Sequence, residues 1–128
     1  MSSYVDKVNK LHATYGSTNP FELFSKMNID IRYLDSGDTF SSKQVKGIYK
    51  PVIILNSLLK EKNERYFILA YELYFALCSA EVSEKDAHLF AKELLEQLYI
   101  DTYGHIPSTA KELERLYGLP DITDASIF

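Results

Sequence analysis

The spacing of apolar residues predicts two helices near the start of the chain. Over residues 3–15, apolar side chains recur every three or four positions, which predicts an amphipathic helix that ends at Gly16. A second, shorter helix is predicted to begin at Pro20, with Asn19 as its N-cap, and to run to about Lys26.

The period then changes from helical to alternating, which predicts strands. Residues 29–33 alternate apolar and charged side chains, as in a half-buried strand. Residues 45–49 predict a second, short strand, and residues 52–56 predict a buried one. Because a proline cannot donate to a sheet, Lys50 and Pro51 predict a break in the pairing between these last two strands.

The central helix of the domain is predicted over residues 63–78. From Tyr66 onward this segment contains one charged residue, Glu72. A helix that is apolar nearly all round is expected in the middle of a domain. Cys78 ends this segment and is expected to act as a small apolar side chain.

Two further helices are predicted in the second half of the chain. Ser83 is the expected N-cap of the first, whose apolar residues follow helical spacing: Ala87, Phe90, Ala91, Leu94, Leu95 and Leu98. The other covers about residues 109–117, with Thr109 and Glu112 as a capping box. We therefore expect one α+β domain over residues 1–128, with a small antiparallel sheet of about three strands packed on a mainly helical body.

Composition is that of an ordinary globular protein, at 46% hydrophobic and 25% charged residues. The net charge of −4 argues against direct binding of nucleic acid or of an anionic membrane, which favour a basic surface. The single cysteine excludes an internal disulfide and a zinc site built from several cysteines. No apolar stretch follows Met1, so we expect a cytoplasmic protein. No glycine-rich phosphate loop is present, and we predict no cofactor.

Two glutamates stand where apolar residues are expected. Glu72 lies in the apolar helix, and Glu84 lies one turn before the apolar stripe of the next helix, on its core side. A buried carboxylate is costly unless it is paired, hydrogen-bonded or protonated. Converging glutamates are often metal ligands or an acid/base pair, and the alternative is that tyrosine, arginine or backbone groups satisfy each one.

A collinear set of strings runs from about Asn19 to Pro120 and consists of residues 19–23 and 27–29, 46–49 and 54–56, 65–70, and 84–91 followed by two leucines. This set resembles the ImmA/IrrE family of zinc metallopeptidases, which occur in bacteria, temperate phages and integrative elements. The last of these strings, Glu-Lys-Asp-Ala-His-Leu-Phe-Ala, is similar to the family's Glu-x-x-Ala-Asn-x-Phe-Ala segment. The resemblance implies a single ImmA/IrrE-like domain with a zincin-like fold.

The active-site helix of this family carries His-Glu-x-x-His, where two histidines one turn apart hold zinc and the glutamate acts as general base. Here the matching string is Tyr-Glu-Leu-Tyr-Phe. Tyr71 and Phe75 stand at the histidine positions, and Glu72 matches the general base. Glu84 best matches the family's third zinc ligand, and Asp86 is the alternative register.

The resemblance therefore implies a degenerate site. A phenyl ring cannot ligate zinc, and a phenol is a poor ligand at neutral pH. We predict no metal and no catalytic residue, and we treat four positions as vestigial: Tyr71, Glu72, Phe75 and Glu84. The rings of Tyr71 and Phe75 share one helix face and would fill the place of a zinc cleft. The three histidines, His12, His88 and His105, are expected to be surface or helix-edge polar residues.

The resemblance implies a regulator that works by binding a protein. Peptidase members of the family inactivate a helix-turn-helix repressor by cleaving it, so an inactive member is expected to act as an antirepressor or inhibitor in a phage or mobile element. One alternative is a divergent metallopeptidase that still cleaves such a repressor, using an unusual metal set around Glu72 and Glu84. Another is a small-molecule sensor that uses the aromatic cleft.

Overall fold

The computed structural model describes residues 3–35, 42–46, 51–60, 62–77 and 83–120. Within these ranges the elements are α1 (Ser3–Tyr15), α2 (Pro20–Lys26), β1 (Asp30–Leu34), β2 (Ser42–Lys46), β3 (Pro51–Asn56), a short 3-10 helix (Ser57–Leu59), α3 (Glu64–Leu77), α4 (Glu84–Tyr103) and α5 (Ala110–Tyr117). The predicted α+β class is confirmed. Cys78, the predicted strand residues 47–49 and Lys50, one of the two residues of the predicted break, lie outside the described residues. No helix in the described ranges is long and apolar enough to cross a bilayer.

Local capping signals fix the starts of two helices as predicted. The Asn19 side chain accepts a hydrogen bond from the Phe21 backbone N–H at 2.9 Å, and Pro20 occupies the first helical position of α2. The Ser83 hydroxyl oxygen accepts from the Asp86 backbone N–H at 3.1 Å at the start of α4. Each cap satisfies a backbone donor that the helix itself leaves unpaired.

The predicted capping box of α5 is wrong. Thr109 stands at the N-cap position but makes no side-chain bond to the helix. The carboxylate of Glu112 instead accepts a hydrogen bond from the Tyr99 hydroxyl of α4. The hydrogen bond from Tyr99 therefore occupies the Glu112 carboxylate, which the predicted capping box would have required.

The sheet is mixed, and the predicted all-antiparallel arrangement is wrong. β3 lies in the middle, parallel to β1 and antiparallel to β2. β2 lies at the far edge and runs opposite to β1, and β3 lies between them and runs in the direction of β1. The second strand spans Ser42–Lys46, earlier in the chain than predicted.

The predicted break at Pro51 is also wrong, because Pro51 is paired with Lys46 in the antiparallel ladder. Pro51 is the first residue of β3. At the first position of a strand the missing N–H of proline is tolerated.

Helices α3 and α4 pack together to form the centre of the core. The predicted apolar stripe of α4 is buried throughout, and it lies against the buried residues of α3: Leu69, Ala70, Leu73 and Tyr74. From the sheet, Ile53 and Leu55 complete the same core with no exposed surface. The central position predicted for the apolar helix is confirmed.

Two long-range hydrogen bonds join the N-terminal part of the chain to α4. The Tyr4 hydroxyl of α1 donates to the Asp86 carboxylate at the start of α4. The Thr18 hydroxyl, which is 1% exposed, donates to the Asp101 carboxylate near the end of α4 at 2.7 Å. Helix α4 therefore binds the N-terminal segment at two places, at the start of α1 through Tyr4 and just after α1 through Thr18.

Candidate functional site

A row of three aromatic rings lies along α3 at the predicted site. Each of Phe67, Tyr71 and Phe75 is one helical turn from the next. The ring centroids of Phe67 and Tyr71 are 5.9 Å apart, and those of Tyr71 and Phe75 are 5.2 Å apart. All three side chains are partly buried against the core. We refer to these residues as the aromatic row. It includes Tyr71 and Phe75, the two residues predicted to stand at the histidine positions of the ImmA/IrrE family.

Glu72 lies next to this row and is held at the junction between α3 and the sheet. Its backbone carbonyl accepts a hydrogen bond from the Gln44 side chain of β2 at 2.9 Å. The carboxyl group is partly buried, and this burial raises the pKa of Glu72 above its ordinary value. The junction therefore holds an acidic group in a site that disfavours its charge.

Glu84 is exposed, and the prediction that it faces the core is wrong. It is the first residue of α4, where a carboxylate faces solvent and is favoured by the unpaired N–H groups of the helix start. The charge of Glu84 nevertheless raises the pKa of Tyr71 in the aromatic row.

Both glutamates influence the same group, the phenol of Tyr71. Burial raises the pKa of the Tyr71 phenol, and the charges of Glu84 and then Glu72 raise it further. Both carboxylates are therefore within electrostatic reach of the same hydroxyl group. The result is a partly exposed aromatic surface with a carboxylate from each of two helices.

His88 extends the site onto α4 in a way that sequence reasoning missed. It is 5% exposed, and its ring meets Phe67 edge-on with centroids 5.1 Å apart. The expectation of a surface or helix-edge histidine is therefore wrong here, because Phe67 covers the ring. Burial lowers the pKa of His88, which favours the neutral imidazole. The available signal was the helical spacing of α4, because His88 lies three residues before Ala91 and seven before Leu95, and both of these are buried.

The other acidic and histidine candidates lie elsewhere. Asp86 accepts the Tyr4 hydroxyl hydrogen bond, which lowers the pKa of this carboxyl, so it serves the α1–α4 contact. His12 is exposed and lies 3.8 Å from Asp101, and His105 is exposed after the end of α4. For these two histidines the expected surface location is confirmed.

The residues of the site do not fit a catalytic zinc ion. Tyr71 and Phe75 present ring faces and edges to each other, and the raised pKa of Tyr71 disfavours the phenolate that would be needed for ligation. Among the described residues, no group of three His, Cys, Asp or Glu side chains is arranged to hold a metal. A three-ligand zinc site of the peptidase type is not formed by these residues.

Comparisons of the chain with protein-family models, with curated proteins and with solved structures find no match. The resemblance to the ImmA/IrrE family stays a prediction that rests on the quoted strings and their order.

Replacing Glu72 with glutamine should stabilise the protein at neutral pH. The folded state raises the pKa of Glu72, so ionisation above that pKa costs folding free energy, and the amide removes this cost. We expect the free energy of unfolding at pH 7 to rise by about 1 kcal/mol, the ordinary scale of a single substitution. The gain should disappear as the pH falls below the ordinary glutamate pKa of 4.5, where both states of the wild type are protonated. Urea unfolding at pH 7 and pH 4 measures both values.

Glu84→Gln is the matched control, because it makes the same chemical change at an exposed carboxylate near the same ring. Its effect should stay within about 0.5 kcal/mol, as for other surface changes. A loss of stability in Glu72→Gln at pH 7 would contradict the assigned environment of Glu72.

Proposed function

We propose that this protein is a catalytically inactive, metallopeptidase-like regulator that acts by binding another protein. The observation that carries the proposal is the contact between the rings of Tyr71 and Phe75, the two residues that the resemblance aligns with the zinc-binding histidines. A site without those ligands does not activate a water molecule for peptide cleavage. The same rings give the site apolar area for binding.

The chemistry of this surface favours a particular kind of partner. Aromatic side chains are enriched in protein–protein interfaces, and the aromatic row is partly exposed. Glu72 and Glu84 add negative charge beside it, in a chain of net charge −4. Complementary charge speeds association and selects partners, so the partner segment should be basic and partly apolar.

A helix-turn-helix repressor has this chemistry, because a protein that binds DNA must present a basic surface. Its sequestration by this chain would relieve repression without cleavage. We therefore propose an antirepressor role in a phage or mobile element, with a helix-turn-helix repressor as the bound protein. Inhibition of another basic protein is the broader form of the same proposal.

Co-expression with the repressor-like protein encoded nearest this gene tests the proposal. We expect the two proteins to purify as a stable complex in which intact-mass measurement finds both chains uncut. Glu72→Gln should still form this complex with both chains uncut, because no catalytic base is required, although the loss of one negative charge should lower its affinity. A clipped repressor, with cleavage lost in Glu72→Gln, would overturn the proposal in favour of the divergent metallopeptidase.

Removing two rings of the aromatic row should weaken the complex. Tyr71→Ala combined with Phe75→Ala is expected to raise the dissociation constant by about 100-fold, which corresponds to two aromatic anchors in an interface. Tyr103→Ala is the matched control, since Tyr103 is a 49% exposed aromatic residue at the far end of α4. Equal weakening by both variants, or no complex with the wild type, would contradict the assigned surface.

A further inference from the structure

β1 is an edge strand with one side open among the described residues. The strand order β1-β3-β2 gives it β3 as a neighbour, and no described strand lies on its other side. An open edge presents backbone N–H and C=O groups that can pair with another strand. The sequence of β1 determines which strand fits best.

The side chains of β1 divide into two faces. Ile31 and Tyr33 pack towards the core, and the Tyr33 hydroxyl accepts a hydrogen bond from Arg65 of α3. Asp30 and Arg32 alternate with them on the opposite face of the sheet. Their charged atoms are 3.3 Å apart, and their side chains are 36% and 69% exposed.

This alternation makes β1 complementary to itself. When two copies pair antiparallel about Ile31, Asp30 of each copy lies opposite Arg32 of the other, so opposite charges meet twice. Moving the centre by one residue, to Asp30 or to Arg32, places identical charges opposite each other. Charge therefore selects a single register among these three.

We propose that the protein forms a symmetric homodimer through antiparallel pairing of β1 with β1 of a second copy, centred on Ile31. The two sheets then form one continuous sheet of six strands. The pairing leaves the opposite edge strand, β2, unpaired with the second copy, and it is this strand that contacts α3 at Glu72 beside the aromatic row. The dimer does not depend on the function proposed above.

Molar mass in solution tests the proposal directly. Light scattering during gel filtration at about 100 µM, a concentration that detects weak interfaces, should give twice the chain mass of 14.7 kDa. Asp30→Arg and Arg32→Asp should each give the monomer mass, because like charges then face each other twice. Mixing these two variants in equal amounts should restore the dimer mass, and so should the double variant D30R/R32D.

The rescue by mixing separates an interface effect from misfolding, since an unfolded variant cannot restore a dimer. Lys43→Glu is the matched control: it makes the same change in charge as Arg32→Asp, on an exposed residue of the other edge strand, and should keep the dimer mass. A monomeric wild type overturns the proposal. So does a dimer that both single variants retain, or a mixture that stays monomeric.

Discussion

Replacing Tyr71 and Phe75 together with histidine should give this chain the ability to bind zinc. The two imidazoles would lie one turn apart on α3, and Glu84 already acts electrostatically on the first of these positions. We expect the double variant to bind one zinc ion with a dissociation constant of about 1 µM or tighter, a binding free energy of about 8 kcal/mol. Titration with a chromophoric zinc competitor, with the wild type in parallel, measures the gain.

Two further variants show whether the new site has the expected ligands. Adding Glu84→Gln to the double variant should weaken zinc binding at least about tenfold, because a carboxylate ligand is lost. Glu72→Gln in the same background should leave affinity nearly unchanged, since Glu72 corresponds to the base and not to a ligand. If the double variant folds but binds no better than the wild type, the assignment of Tyr71 and Phe75 to the histidine positions is wrong.

Replacing Gly118 with alanine should be the most destabilising glycine substitution among the described residues. Gly118 ends α5 with a φ of 70°, a conformation that costs an alanine about 1–2 kcal/mol. An added Cβ would also lie 2.9 Å from the backbone nitrogen of Glu64 and closer still to its Cα. Because a backbone cannot move aside as a side chain can, we expect a total loss of about 3–4 kcal/mol in urea unfolding.

Gly104→Ala separates the two causes of this loss. Gly104 ends α4 with a φ of 81°, and a Cβ there would meet nothing within 4 Å. This variant should therefore lose only the conformational cost of about 1–2 kcal/mol. Equal losses of unfolding free energy in the two variants would mean that Glu64, at the start of α3, is not in close contact with Gly118 at the end of α5.

Local signals made the helices of this fold predictable. Asn19 before Pro20, and Ser83 three residues before Asp86, act on backbone groups within one turn, so their effect is present in the sequence itself. The apolar stripe of α4 is likewise a property of spacing along one helix. These features needed no knowledge of distant contacts.

Distant contacts explain what the sequence did not reveal. Glu112 lost its expected role because Tyr99, thirteen positions away, donates a hydrogen bond to it. His88 became buried because Phe67 on another helix covers it. The parallel pairing of β1 with β3 depends on how the chain crosses between the sheet edges. The sequence pointed to Tyr71 and Phe75 as ring neighbours, but not to Phe67, and the exposure of Glu84 became evident only from the packing of α3 against α4.

The bonds that hold the N-terminal region have a consequence for synthesis on the ribosome. Tyr4 and Thr18 are made early, but their carboxylate partners, Asp86 and Asp101, are made much later. Since such long-range contacts form only after the intervening chain has been ordered, α1 must wait undocked while most of the domain is translated. During that interval its apolar face, with Val8 and Leu11, is open to chaperones and to other nascent chains.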